Sequence, residues 1–166
     1  LQAKYHFPVA ALNDGKAAAL AELATGHLKG VTNGAALVLG SGLGGGIIIN
    51  GKLFQGSHFQ AGELTFLLPL QMEKLDPSLM QETTLSAIGL ITKVNEILAS
   101  LDLKDGLLAF KAINAKKEAV YPIFETYCRN LAITILNLQT IFDMETFVLG
   151  GGISAQSILI EEVNRQ

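Results

Sequence analysis

Three groups of residues in this sequence could share one piece of chemistry. Asn13-Asp14 stands between an apolar segment and an alanine-rich one, residues 39–63 read LGSGLGGGIIINGKLFQGSHFQAGE, and Gly150-Gly151-Gly152 follows a second short apolar run. Six glycines fall from Gly40 to Gly51, and Gly56 and Gly62 follow. Glycine is concentrated in this way where the backbone takes positive φ or where something approaches it closely. Bare N–H groups surround an anion well, so phosphate is a natural occupant. The stretch ends in Glu63, a carboxylate suited to hydroxyl groups. Phosphate on one side and hydroxyls on the other point to phosphoryl transfer to a polyol or sugar.

Each group also has a plainer reading. Asn13 and Asp14 are both good helix N-caps; alternatively a carboxylate here takes the proton of a sugar hydroxyl as it attacks phosphorus. The two roles coexist if Asn13 binds the sugar and Asp14 reaches the reacting oxygen. Gly40, Gly42 and Gly45 fit G-x-G-x-x-G, but a dinucleotide-binding loop runs straight into a helix, and this one runs toward a β-hairpin. The Lys and Ser/Thr of a P-loop are absent as well. What remains is a strand–glycine–strand turn, which wraps ATP phosphates in the actin and hexokinase type of fold, or a structural hairpin with glycine bulges. Gly150 to Gly152 make either a tight turn or a flat seat for adenine or ribose. Glu63 and Glu82 are candidate hydroxyl ligands, although a lone Glu is most often a solvated charge. His58 has no metal-binding neighbours and reads as a loop residue.

The elements that must position these residues follow from periodicity and turn chemistry. Phe7–Leu12 reads as a strand broken by Asn13-Asp14-Gly15, and Lys16–Leu23 as an alanine-rich helix. Ala35–Leu39 is a buried strand. Ile47–Ile49 and Lys52–Phe54 flank Asn50-Gly51, the strongest short hairpin signal. Residues 63–81 contain Pro69 and Pro77 and form an irregular excursion. Glu82–Ser100 is helical, with Leu85, Ile88, Ile91, Val94 and Leu98 on one face. Asp105 caps a short helix through Ile113. A long helix runs from about Glu118 to Phe142 with Pro122 in its first turn, its apolar face being Phe124, Tyr127, Leu131, Ile135, Leu138 and Phe142. Thr146–Leu149 is a strand, Gly150–Gly152 a turn, and Ser154 the N-cap of a final helix.

Composition bounds the class. The 166 residues are 49% hydrophobic and 16% charged, enough for one domain with a sizeable core. The net charge of -3 comes with no basic patch, so these residues are not expected to contact nucleic acid. The one cysteine, Cys128, excludes an internal disulfide and any multi-cysteine metal site, in keeping with a cytoplasmic setting. The longest uncharged apolar run, residues 34–50, is broken by its glycines and makes a poor membrane helix. No initiator Met is present, and the chain opens close to a candidate site, as an excised piece of something longer would.

Four segments in order resemble the ROK family of bacterial sugar kinases and sugar-responsive repressors. ALNDGKAAALAEL resembles the family's E-N-D-x-N-x-A-A-x-x-E segment, and LGSGLGGGIIINGKLFQG its L-G-T-G-x-G-G-G-x-x-x-x-G-x-x-x-x-G signature. AGEL resembles A-G-E-I-G-H, and FVLGGGIS the late nucleotide-binding turn. The resemblance implies an α/β, ribonuclease-H-like fold of the actin/hexokinase type, with residues 1–166 forming mainly the larger domain of a two-domain sugar kinase. It implies that Asp14 is the catalytic base, that Asn13 and Glu63 bind sugar hydroxyls, and that Ser41, Gly42 and Gly44 lie near ATP phosphates. Gly150, Gly151 and Gly152 would lie near the nucleoside, with Mg2+ between the phosphates. A homodimer is implied too.

The departures are informative. Thr65 and Phe66 replace the Gly and His that follow A-G-E-I, and none of the family's three zinc-binding cysteines is present, so no thiolate zinc site is expected. In this the chain resembles zinc-less ROK proteins of Gram-positive bacteria, some described as β-glucoside kinases. Glu82, Ser86 and Leu90 still match E-x-x-x-S-x-x-x-L, which would make Glu82 a further sugar ligand. The family's D-x-G-G-T segment belongs before Leu1 and a last helical portion after Gln166, so this stretch alone is expected to be inactive. A sugar-binding effector domain of a ROK repressor is the alternative to the kinase.

Overall fold

The computed structural model describes residues 1–68 and 84–166; Glu82 and the proline-containing excursion after Leu68 lie outside the described residues. A four-stranded mixed sheet in the order β3-β2-β1-β4 organises the chain. The central strand β1 (Gly34–Leu39) is antiparallel to β2 (Leu43–Ile49) and parallel to β4 (Thr146–Gly151). Among the described residues the edge strand β3 (Lys52–Phe54) pairs only with Ile47–Ile49 of β2. Asn50 (φ 52) and Gly51 (φ 69) make the two-residue turn between them, both left-handed as a hairpin of this length demands.

Helices cover both faces, giving the α/β, actin/hexokinase-type arrangement that the resemblance implies. After a single turn, α1 (Gln2–Tyr5), the helix α2 (Asp14–Thr25) packs on β1 and β2. Its Ala19 joins Leu28, Ala36 and Ile48 in a small core on that face. The opposite face, with Ala35, Leu37, Leu39, Leu43 and Ile47, carries the larger core. It is built from α3 (Ala87–Ile97), α4 (Gly106–Asn114), α5 (Tyr121–Phe142) and α6 (Ser157–Arg165). The alternation along β1 sends successive side chains to the two cores, as the pleat requires. Asp105 caps α4 as expected, accepting from Leu108 N at 2.9 Å, and Pro122 lies in the first turn of α5. Among the described residues no helix is long and apolar enough to cross a membrane.

Several expectations are corrected. Phe7–Leu12 is irregular and exposed rather than a strand, because none of the four strands offers it a ladder. Helix α3 starts at Ala87 under a Ser86 cap (Gly89 N to Oγ, 2.9 Å), and it buries Leu90 and Val94 while Ile88 stays 47% exposed. Helix α5 starts at Tyr121, three residues later than the apolar pattern suggests. Strand β4 runs on through Gly151, so only Gly152 of that trio lies in the following turn. Ser154 does not cap the final helix; its hydroxyl donates to Gly151 O at 2.9 Å, and α6 begins at Ser157.

Helix α2 rests on β2 with almost nothing between the backbones. A Cβ added to Gly15 would fall 2.5 Å from Gly45 N, and one added to Gly46 would fall 2.5 Å from Ala19 Cβ. The middle glycine serves the other face, where a Cβ on Gly45 would meet Leu64 Cδ1 at 2.6 Å. Far from this contact, a polar cluster ties α6 to α5. Glu162 is 3% exposed and accepts from Tyr121 Oη (2.9 Å), Gln166 Nε2 (2.6 Å) and Arg165 Nε (3.0 Å). The Arg165 hydrogen bond, aided by Gln166 and Tyr121 and opposed by burial, holds the Glu162 carboxyl down at about 2 against its usual 4.5.

Two predictions follow from these contacts. Ala is favoured over Gly in a helix by about 1 kcal/mol, so Gly15→Ala would stabilise an unconstrained α2. The contact with Gly45 reverses the sign, and denaturant unfolding is expected to show a loss of about 1–3 kcal/mol. A carboxyl whose pKa falls on folding stabilises the protein above its unfolded value and loses that contribution as pH drops through its folded value. Glu162→Gln is therefore expected to lower the melting temperature at neutral pH, with the difference from the parent shrinking between about 4.5 and 2.

Candidate active site

The start of α2 places the first group. Asn13 is the N-cap: its Oδ1 accepts from Lys16 N at 3.2 Å, while its Nδ2 reaches Glu63 Oε2 across a long 3.5 Å contact. Asp14, the first helical residue, is exposed, and its Oδ1 accepts from Gly15 N at 2.8 Å. Its other oxygen has no bond among the described residues. The capping role thus belongs to Asn13, and Asp14 keeps an open carboxylate oxygen.

The loop that carries Glu63 is drawn in by the same glycines. Gly62 (φ +82) lies against the Gly45–Ile47 backbone, where a Cβ would come within 3.2 Å of Gly46 Cα. This is the stretch of β2 leading into the part that β3 pairs. Glu63 is held there by Lys16, whose Nζ lies 2.9 Å from Oε1 and also donates to the carbonyl of Phe59. Lys16 is 3% exposed and Glu63 24%.

The turn Gly40-Ser41-Gly42 joins β1 to β2 beside this corner. Gly44, two residues on, faces Gly15 Cα at 3.8 Å from its would-be Cβ. Gly44 itself is a strand residue, and Ser41 is exposed at the tip of the turn. Gly40 N donates to Gly42 O (3.1 Å), and Gly40 O accepts from Ala87 N (2.9 Å) at the start of α3. Leu39 is in register with both Leu43 and Gly151, so the turns after β1 and β4 leave the sheet side by side. Both open on a groove of about 610 Å3 walled by Ile88 and Ile91 of α3, by Asp102 and Lys104, and by Phe110 of α4. A Cβ on Gly40 or on Gly152 would meet nothing within 4 Å, which leaves room for a ligand against the backbone. Gly151 is different: its φ is +98, and a Cβ there would run into the Leu39 carbonyl.

The structure therefore brings Asn13, Asp14, Glu63 and the Gly40–Gly42 turn to one corner and sets Gly152 on the adjoining groove. Glu82 lies outside the described residues. His58 is an exposed loop residue. Burial pushes the Cys128 thiol up to about 12, which makes it inert. Among the described residues no three His, Cys, Asp or Glu side chains cluster as metal ligands. A second groove of about 620 Å3, between α3 and α5, carries none of the candidate residues. Lys16 and the groove walls escaped the sequence reading. A lone Lys in an alanine-rich helix looks solvated, and the walls come from elements far apart in the chain.

The glycines at the end of β4 have separable jobs. Gly151→Ala is expected to cost about 3 kcal/mol or more, combining a strained φ with overlap. Gly152→Ala is expected to leave unfolding free energy within about 0.5 kcal/mol of the parent; chemical denaturation of both variants checks this.

A family model, "ROK family", matches residues 1–166. The chain is 30% identical over 156 residues to a beta-glucoside kinase of Klebsiella pneumoniae, covering 92% of this chain and 52% of that protein. It is 30% identical over 173 residues to a glucokinase of Halalkalibacterium halodurans, covering 93% and 52%. The fold is similar to the crystal structure of a ROK family protein from Streptococcus pneumoniae TIGR4 in complex with sucrose, with a TM-score of 0.84 and 32% identity over 98% of this chain and 55% of that one. The chain thus spans about half the length of the relatives it matches. The match spans the capped helix, the glycine turn and the acidic loop, and the chain belongs to the ROK family.

Proposed function

We propose that this chain supplies the larger domain of an ATP-dependent sugar kinase acting on a hexose or glucoside, with Asp14 as general base. The observation that carries the reading is the convergence of an open carboxylate, Asp14, with a hydroxyl-binding pair, Asn13 and Glu63, beside a bare glycine turn. The kinase names of the two curated relatives support the reaction class.

Asn13 Nδ2 donates to one sugar hydroxyl and Glu63 Oε2 accepts from its neighbour, which orients the ring. Asp14 accepts the proton of the attacking hydroxyl. The new sugar O–P bond forms as the bond from the γ-phosphorus to the leaving oxygen breaks, ADP departs, and Asp14 later returns its proton to solvent. The open faces of Gly40 and Gly152 and the groove between them fit a triphosphate tail and a nucleoside, in that order from the corner. Ser41, at the tip of the turn, is placed to donate to a phosphate oxygen. Mg2+ bound with the nucleotide would supply neutralisation of the phosphate charge. The domain works by positioning these groups.

The test uses the full-length gene product. A thermal-shift screen against hexoses and β-glucosides, with and without MgATP, names the sugar, and a coupled assay reads ATP consumption. Asp14→Ala is expected to lower kcat by about 10²–10⁴-fold with the melting temperature little changed, since the side chain is exposed. Activity within about tenfold of the parent would remove Asp14 from this role. Sugar binding without sugar-dependent ATP consumption would favour the repressor's effector domain instead.

A further inference from the structure

We propose that Lys16 is a positioning residue for sugar recognition: it clamps one oxygen of Glu63 so that the other is held beside Asn13 to meet a sugar hydroxyl. The inference rests on the sugar-kinase reading of the same corner.

A lysine is seldom buried unless paired, and Lys16 is 3% exposed. Its ammonium has two acceptors, Glu63 Oε1 at 2.9 Å and the Phe59 carbonyl, and both belong to the loop that follows β3. Glu63 is left 24% exposed, with Oε2 on the side of Asn13. Glu63 precedes a short 3-10 turn, residues Leu64–Phe66, and makes no capping bond with its side chain there. Without Lys16, nothing among the described residues but the long Asn13 contact would fix the carboxylate's rotation.

Residue 16 in fact orients both proposed sugar contacts. Its main-chain N–H binds Asn13 Oδ1 at 3.2 Å and so turns Nδ2 toward Glu63. Its side chain binds Glu63 itself. Substitution leaves the first contact in place and removes the second, which separates the two. The quoted family segment has Asn at this position, a shorter and uncharged side chain that cannot make the same ion pair. Two of its three donors are directed to Glu63 and Phe59 and the side chain is 3% exposed, which turns Lys16 away from a phosphate.

The experiment compares Lys16→Met, Glu63→Gln and the double variant in the full-length gene product, reading sugar KM, MgATP KM and kcat. Met retains the apolar stem and removes only the charge. Lys16→Met is expected to raise sugar KM about 10–100-fold, the loss typical of a hydrogen bond to a charged group, while MgATP KM stays within about threefold. The double variant is expected to match Glu63→Gln within about threefold, because the clamp acts only through Glu63. A Lys16→Met sugar KM within about threefold of the parent, or effects that multiply independently in the double variant, would overturn the proposal. Should Lys16→Met not fold, Lys16→Gln is read in the same way, with an expected rise of at least about fivefold. A parent that binds sugar without phosphorylating it fails the kinase reading alone, and the same comparisons are then made on sugar dissociation constants. A parent that binds no sugar overturns both.

Discussion

The site depends on one steric fact: the first turn of α2 lies directly on the backbone of β2. Gly15 meets Gly45, and Ala19 fills the space that Gly46 leaves. Side chains normally hold a helix about 10 Å from its neighbours; here their absence lets the helix start settle onto the strand. The strand's own polar groups stay paired, since Gly44, Gly45 and Gly46 are in register with Val38, Leu37 and Ala36 of β1. Dispersion between close backbones is gained with the ladder intact. The same bare strand admits Gly62 and Leu64, so helix and loop arrive at one place from different directions. Asn13, Asp14 and Glu63 are neighbours because three glycines in a row offer nothing to keep them apart.

Two ion pairs among the described residues, each with one buried partner, tie further parts together. Lys16 with Glu63 lies in the corner, and Glu162 with Arg165 lies where α6 meets α5. Buried ion pairs are poor sources of net stability, because desolvation cancels much of their attraction. The Glu162 cluster joins the last helix to the body of the domain. The Lys16 pair joins a loop to a helix, and one of its members is partly open to solvent. The carboxylate is the partly open member of the Lys16 pair and the buried member of the Arg165 pair, so of the two acids Glu63 alone faces solvent.

Much of this could be read from the chain because the signals were local. Asn50-Gly51, Asp105 and Pro122 each specify their own backbone within a few residues, and each stands where expected. Phe7–Leu12 has the composition of a strand, but a strand also needs a neighbour that composition cannot name. The stripe on α3 predicted the buried face through Leu85, Ile91, Val94 and Leu98, and only its Ile88 is exposed, since periodicity does not say where the edge of a stripe leaves the core for a groove. The glycine run shows the limit most clearly. Sequence announces a bare backbone without saying what approaches it. For Gly44 to Gly46 it is the protein, while for Gly40 and Gly152 the space is empty. Asp14 and Asn13 were legible as a pair, and the bond from Lys16 N to Asn13 shows which of the two caps the helix.

The turn at Gly40 has a last consequence. Its amide is bonded to Gly42 O and its carbonyl to the first amide of α3, so both polar groups at its base are satisfied by protein alone. For the phosphates proposed to bind here, the base of the turn is already held before they arrive. Little chain entropy remains to be surrendered on association, and what the ligand gains there is retained as affinity. Glycines usually signal mobility; here hydrogen bonds to Gly42 and Ala87 hold the base of the turn.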